Sequence, residues 1–164
     1  MTRHIAGAGN DALSPDFLDF IVCLNEQRVD AVLVGGYALG IHGVVRATGD
    51  IDFLYRRTTG NVQRLCRALA DFGAPNDVID MDTLMTRDMV TQFGQPPYRI
   101  DLLSAIDGVT FAEVWRGASM ASVDGQDVRI IGLRELEKNK LATGRTKDKE
   151  DVRRLRARRS RRNG

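Results

Sequence analysis

Asp50 and Asp52 stand two residues apart at the head of the apolar run Ile51-Asp-Phe-Leu-Tyr55. In an extended strand such residues project to the same face. At about 3.3 Å rise per residue their Cα atoms lie about 6.5 Å apart, so both carboxylates can reach one small ion cluster. Like charges so placed repel and raise each other's pKa unless cations lie between them, which makes the pair a candidate metal site. About 15 residues upstream, Gly35-Gly36 interrupts the β-branched and apolar run Val32-Leu-Val34. A helix starting at Gly36 leaves backbone N–H groups free, and the missing side chains let phosphate oxygens come close. Magnesium favours one or two carboxylates, with substrate phosphates completing its shell. A phosphate cradle and a two-carboxylate site with a short helix between them point to nucleoside triphosphate chemistry.

Two further residues could join them. Asp101 lies in Tyr98-Arg-Ile-Asp-Leu-Leu-Ser104, a strand pattern with Ile100 and Leu102 on one face and Arg99, Asp101 and Leu103 on the other. A carboxylate buried in such a strand needs a partner. It is either one half of a structural Asp–Arg pair or a third ligand for the Asp50/Asp52 cluster. Lys140 falls on the apolar stripe of a helix with Leu133, Leu136 and Leu141. A lysine there either snorkels outward or reaches an anionic ligand. Lys138, with Arg134 and Arg145, reads as solvated. Asp148 and Asp151 share the inner side of the last helix with Val152 and Leu155, and first-turn acids suit the helix dipole, so both read as structural.

These residues need elements to carry them. Ser14-Pro15 marks a helix start, with Ser14 as N-cap and Pro15 at the first helical position, and Phe17, Phe20, Ile21 and Leu24 share one face as far as about Arg28. A second helix begins near Thr59, buries Val62, Leu65, Cys66, Leu69 and Phe72, and stops at Gly73 and Pro75. Between residues 76 and 92, Val78-Ile79 reads as a strand, Met81 to Asp88 as a short helix or loop, and Val90 to Phe93 as another strand. Phe111 to Trp115 is a short helix, and Asp124-Gly125 a hairpin turn. Gly132 to Thr143 forms a helix closed by Gly144, with Thr146 capping the last one. The expected fold class is α/β (α+β), a mixed sheet flanked by helices.

The chain has 164 residues, 43% of them hydrophobic, enough for one domain over residues 14–157 after a mobile segment 1–13. No run approaches bilayer-spanning length, and Met1 to Ser14 lacks a signal-peptide core. Cys23 and Cys66 have no metal or redox spacing and read as reduced core thiols of a cytoplasmic protein. The net charge of +2 is uneven. Residues 153–164 hold seven arginines and no acid, and without them 17 basic residues face 22 acidic ones, a balance of −5. Such a run either holds RNA or an acidic partner, or is a solvated, frayed helix end.

The strand, Gly35-Gly36, short helix, Asp50-Ile-Asp52 and Asp101 within Arg-Ile-Asp-Leu-Leu together resemble the minimal nucleotidyltransferases of the DNA polymerase β-like superfamily. The likeness covers nearly all of residues 15–157. The segments His42-Gly-Val-Val-Arg46-Ala-Thr48 and Asn139-Lys140-Leu-Ala-Thr-Gly-Arg145-Thr-Lys147-Asp148 look like bacterial members, which include toxins of type IV toxin–antitoxin systems. The resemblance implies that Asp50 and Asp52 bridge two Mg²⁺ ions, which sit about 3.5–4 Å apart in two-metal sites. Asp101 would hold the catalytic ion and help deprotonate the attacking hydroxyl. Gly35 and Gly36 would meet the β- and γ-phosphates of an NTP, Lys140, Arg46 and Arg145 would neutralise the triphosphate, and Thr48 would join the nucleotide-binding set. His42 fits helix packing or a hydrogen bond better than catalysis. The implied acceptor is RNA such as tRNA, a protein hydroxyl or a small molecule such as an aminoglycoside, and an antitoxin is an implied partner. Two other readings compete: a non-catalytic nucleotide- or partner-binding module that keeps the fold, and acids that merely pair with Arg46 and Arg99.

Overall fold

The computed structural model describes residues 3–4, 13–45 and 47–164. Arg46, and residues 1–2 and 5–12 of the segment 1–13 expected to be mobile, therefore lie outside the described residues. Arg3–His4 forms a short strand, β1, paired in parallel with a strand far along the chain, a pairing the sequence pattern does not suggest.

Helix α1, Pro15–Glu26, starts where the Ser-Pro pair places it. Ser14 holds the N-cap position, although its side chain makes no capping bond. Strand β2, Ala31–Val34, runs directly into α2, Gly35–Ile41, and the chain returns as β3, Asp50–Tyr55. Helix α3, Thr59–Phe72, is capped by the Thr58 hydroxyl, which accepts from the Asn61 N–H. Val78 closes a 3-10 turn, Asn76–Val78, so the strand expected at Val78-Ile79 is not formed. Pro75 and Asp77 favour a tight turn there, and two β-branched residues are too few to override it. Then follow α4 (Met81–Met85), β4 (Val90–Gln95), β5 (Tyr98–Leu103), α5 (Phe111–Gly117), β6 (Ser119–Val123) and β7 (Gln126–Ile130). Helices α6, Leu133–Ala142, and α7, Thr146–Asn163, complete the order. Arg145, not Thr146, takes the N-cap position of α7. Leu141 is 45% exposed, so the inner stripe of α6 is narrower than its leucines suggest.

Among the described residues the strands form one mixed sheet in the order β1-β6-β7-β2-β3-β5-β4. β2 and β3 are antiparallel, whereas β3 and β5 are parallel neighbours. Alternation along β3 and β5 gives the two faces different jobs. Ile51, Phe53, Ile100 and Leu102 are buried, and the Phe20 ring of α1 packs edge-on against Phe53, Phe72 and Phe93. That cluster seats α1 and α3 on the sheet. Asp50, Asp52 and Asp101 occupy the opposite face.

Asn61 is fully buried and clamps the hairpin that carries the aspartates. Its amide donates to the carbonyls of Asp30 and Arg56 and accepts from the Asp30 N–H, at 3.1, 2.7 and 2.7 Å. One side chain thereby ties the residue before β2 to the residue after β3, so the hairpin cannot splay. No helix among the described residues is long and apolar enough to cross a membrane.

Candidate active site

The site begins with strand register. Asp52 is paired with Val34 on one side and with Asp101 on the other, and Asp50 is paired with Arg99. Residues paired across parallel strands project together, so Asp52 and Asp101 stand side by side although 49 residues separate them in the chain. The register places Asp101 beside Asp52, on the same face of the sheet as Asp50. Among the described residues none of the three forms an ion pair with an arginine. Arg99 donates instead to the Gln92 side-chain oxygen Oε1 at 3.0 Å, and Gln92 Nε2 donates to Asp101 Oδ1 at 2.8 Å. Gln92 is absent from the residues that sequence reasoning singles out. The signal for it is the alternation of β4, which sets Gln92 opposite Asp101 in the antiparallel pair.

Burial and crowding act on Asp52 together. Loss of water raises its pKa first, the Asp101 charge and a proton shared with Asp101 raise it further, and Asp50 adds to the push. The Lys140 ammonium opposes them, and the result is a carboxyl pushed up to about 7. Two carboxyls crowded in this way disfavour a second charge, an effect that a cation beside them would reverse.

Gly35 makes the crowding possible. It has φ +69°, and a Cβ added there would fall on the Asp52 carboxylate. Only glycine allows the strand-to-helix turn to lie directly over that acid. The Gly36 position is filled from the other side by Thr48, whose Oγ1 lies 3.0 Å from where a Cβ would sit. Thr48 also donates to the Asp50 carbonyl at 3.2 Å, linking the turn to the start of β3. Gly35→Ala is therefore expected to push the Asp52 side chain aside and to cost about 1–2 kcal/mol for the left-handed backbone. Denaturant titration would read the stability loss, and any activity routed through Asp52 should fall at least about tenfold.

Lys140 is 5% exposed and spoken for: its Nζ donates to Asp148 Oδ1 at 3.3 Å and to Asp151 Oδ2 at 3.0 Å. Asp148 also accepts from the Thr143 hydroxyl at 2.6 Å and from Arg145 Nε at 2.7 Å. Burial works against ionisation of Asp148, but these two hydrogen bonds and the Lys140 charge outweigh it and hold its pKa low. The network joins α6 to α7, which is the structural role expected for Asp148 and Asp151. Lys140 thus contacts protein acids directly and acts on Asp52 only through its charge. The Arg145 side chain, 64% exposed, pairs with Asp148, and among the described residues it forms no ion pair with the three aspartates. His42 Nε2 lies 2.7 Å from the Ile131 carbonyl oxygen, a hydrogen bond that ties the end of α2 to the chain after β7.

Among the described residues no group of three or more His, Cys, Asp or Glu side chains is arranged to hold a metal ion. The donor set nevertheless suits a hard divalent cation. Three carboxylates share a face, and two of them sit close enough to share a proton, which a cation would displace.

No family model matches the chain, and no curated protein matches its sequence. Its fold, by contrast, is shared with solved structures. A Thermotoga maritima protein described as a "putative nucleotidyltransferase" superposes with a TM-score of 0.60 at 12% identity, covering 91% of this chain and 98% of its own. The solution structure of the antibiotic-resistance factor ANT(2'')-Ia matches with a TM-score of 0.45 at 16% identity, over 90% of this chain and 91% of its own. The chain, a mixed sheet flanked by helices, thus shares its fold with the Thermotoga maritima structure, a nucleotidyltransferase fold.

Proposed function

We propose that the protein is a magnesium-dependent nucleotidyltransferase that moves a nucleoside monophosphate from an NTP to an acceptor hydroxyl. The observation that carries this reading is the register pair Asp52–Asp101 beneath Gly35, with Asp52 held at a pKa of about 7. A structural acid cluster would pair its carboxylates with basic side chains, whereas among the described residues none of the three aspartates forms an ion pair.

In this mechanism Asp50, Asp52 and Asp101 hold Mg²⁺, which when bound neutralises the triphosphate and the charge that develops on it. The Gly35-Gly36 turn lies beside the bound triphosphate, its missing side chains leaving room for Asp52 and Thr48 to pack against it. Asp101, kept in place by Gln92, accepts the proton of the attacking hydroxyl. The hydroxyl oxygen bonds to the α-phosphorus, the bond to the β-phosphate oxygen breaks, and pyrophosphate leaves. Lys140 contributes a fixed positive charge beside Asp52, and Thr48 keeps the glycine turn against β3. Catalysis then rests mainly on positioning and charge neutralisation.

Incubating the purified protein with each α-labelled NTP, Mg²⁺ and the RNA and protein fractions of a cell extract tests the proposal. Label is expected to pass to one fraction, with pyrophosphate released and EDTA abolishing the transfer. Nucleotide binding without transfer to any acceptor would mark the chain as a non-catalytic module instead.

A further inference from the structure

The seven arginines of α7 do not form one undifferentiated tail. Three of them face acids. Arg153 pairs with Glu150 at 2.7 Å, while Arg156 and Arg159 reach Glu137 of α6 at 3.6 and 3.7 Å. The other four, Arg154, Arg158, Arg161 and Arg162, fall at i, i+4, i+7 and i+8 and so share a different side of the helix. Among the described residues none of these four forms an ion pair.

That uncompensated stripe lines a cleft of about 400 Å³ whose opposite wall is Gly43 and Val44, in the loop between α2 and β3. Arg158 lies across Gly43 so closely that a Cβ there would overlap its guanidinium, and Arg154 donates to the Val45 carbonyl at 3.2 Å. The same loop continues through Thr48 to Asp50, so the cleft opens from the segment that leads into the candidate active site.

We propose that this cleft binds the phosphate backbone of a nucleic-acid strand. Four guanidiniums along about 12 Å of helix match a repeating anion better than a single ligand. Their forked donors suit phosphate oxygens. No aromatic side chain lines the cleft, whereas protein interfaces are usually anchored by such groups. With the transferase reading, on which this role alone rests, the strand becomes the acceptor.

Fluorescence anisotropy of the full chain with labelled RNA and DNA 20-mers, without nucleotide or Mg²⁺, separates binding from transfer. Arg158→Ala/Arg161→Ala/Arg162→Ala should weaken binding at least tenfold at low salt. It should also flatten the slope of log affinity against log salt by about 2, at roughly 0.7 for each phosphate no longer neutralised. Arg153→Ala/Arg156→Ala/Arg159→Ala removes the same charge from the acid-paired stripe and should change affinity less than threefold. Val45→Glu, which leaves α7 untouched, should weaken binding as well, so a frayed helix cannot mimic the result. The RNA and DNA arms tell which strand is held. Equal losses in the two triple variants, an unchanged salt slope, or tighter binding to polyglutamate than to either oligonucleotide would overturn the proposal. Absence of transfer with this binding pattern intact would instead overturn the transferase reading alone.

Discussion

Asp52→Asn is expected to lower the proposed nucleotidyl transfer by about 10³-fold or more, the scale of losing one preorganised electrostatic group, while making the ion-free protein harder to melt. The two effects have one cause. The asparagine side chain keeps the shape of the protonated carboxyl and can still donate to Asp101, but it removes the charge that burial, Asp101 and Asp50 all disfavour. The folded-state pKa of about 7 lies above the usual 3.8, so the folded protein binds more protons than the unfolded chain between those values. Without Mg²⁺ the Asp52 contribution to wild-type stability should therefore be fully present below about pH 4, fall as pH rises toward 7, and level off above it, against the opposite trend of acids such as Asp148 whose pKa is held low. The variant should lack that decline. At pH 8 its gain is about 1–3 kcal/mol, and each kcal/mol raises Tm by about 2–4 °C for a chain of this size. Thermal melts across pH, with and without Mg²⁺, check both halves. Mg²⁺ should raise the wild-type Tm at pH 8 and leave the variant nearly unmoved. A variant that melts lower than wild type at pH 8 would return Asp52 to the role of a salt-bridge partner.

Lys140→Met should have the largest effect on stability, about 3–5 kcal/mol, which corresponds to a Tm lower by roughly 10 °C. Methionine approximates the length of the lysine stem, so the loss comes from charge rather than volume. Asp148 and Asp151 are almost fully buried, and the ammonium is a hydrogen-bond donor to both. Arg145 and Thr143 still serve Asp148, which places the loss toward the lower end of that range. Lys140→Met/Asp148→Asn should recover part of it, because one buried charge then disappears with its partner. Nucleotide affinity distinguishes the two ways in which Lys140 can matter. If its charge reaches the triphosphate, NTP binding to the single variant weakens well beyond what partial unfolding explains, and the double variant does not restore it. If it serves only to join α6 and α7, restoring stability restores binding. Chemical denaturation paired with calorimetric nucleotide titration provides both readings.

The elements around the aspartates are legible in the sequence because local rules and tertiary demands agree there. Val32 to Val34, Gly35-Gly36 and Asp50 to Tyr55 alternate or break as their strands and turn require, and the structure places them within a residue or two. Asp101 is legible as a strand residue but not as a neighbour of Asp52, since side-by-side pairing across a parallel register is a long-range choice with no local signature. Lys140 shows the opposite limit. Its position on an apolar stripe announces a buried lysine, yet the partner acids lie on the next helix, and only packing of α7 against α6 selects them. Val78-Ile79 misleads because β-branched residues favour strands on average, whereas Pro75 and Asp77 fix a turn at this place. Arginine spacing on α7 is visible in the sequence, but its division into neutralised and free stripes depends on where Glu137 and the Gly43–Val45 loop come to rest.

β3 and β5 lie inside the sheet, flanked by β2 on one side and β4 on the other. Two mutually repelling carboxyls are thus mounted where the backbone ladder is closed on both sides, and fraying at an edge cannot relieve them. Their repulsion is therefore relieved by a proton or a cation rather than by local opening of the strands. Evolution of this chain toward greater robustness would meet that constraint directly: mutations that relax the acid pair gain stability at the position where the proposed chemistry needs it withheld.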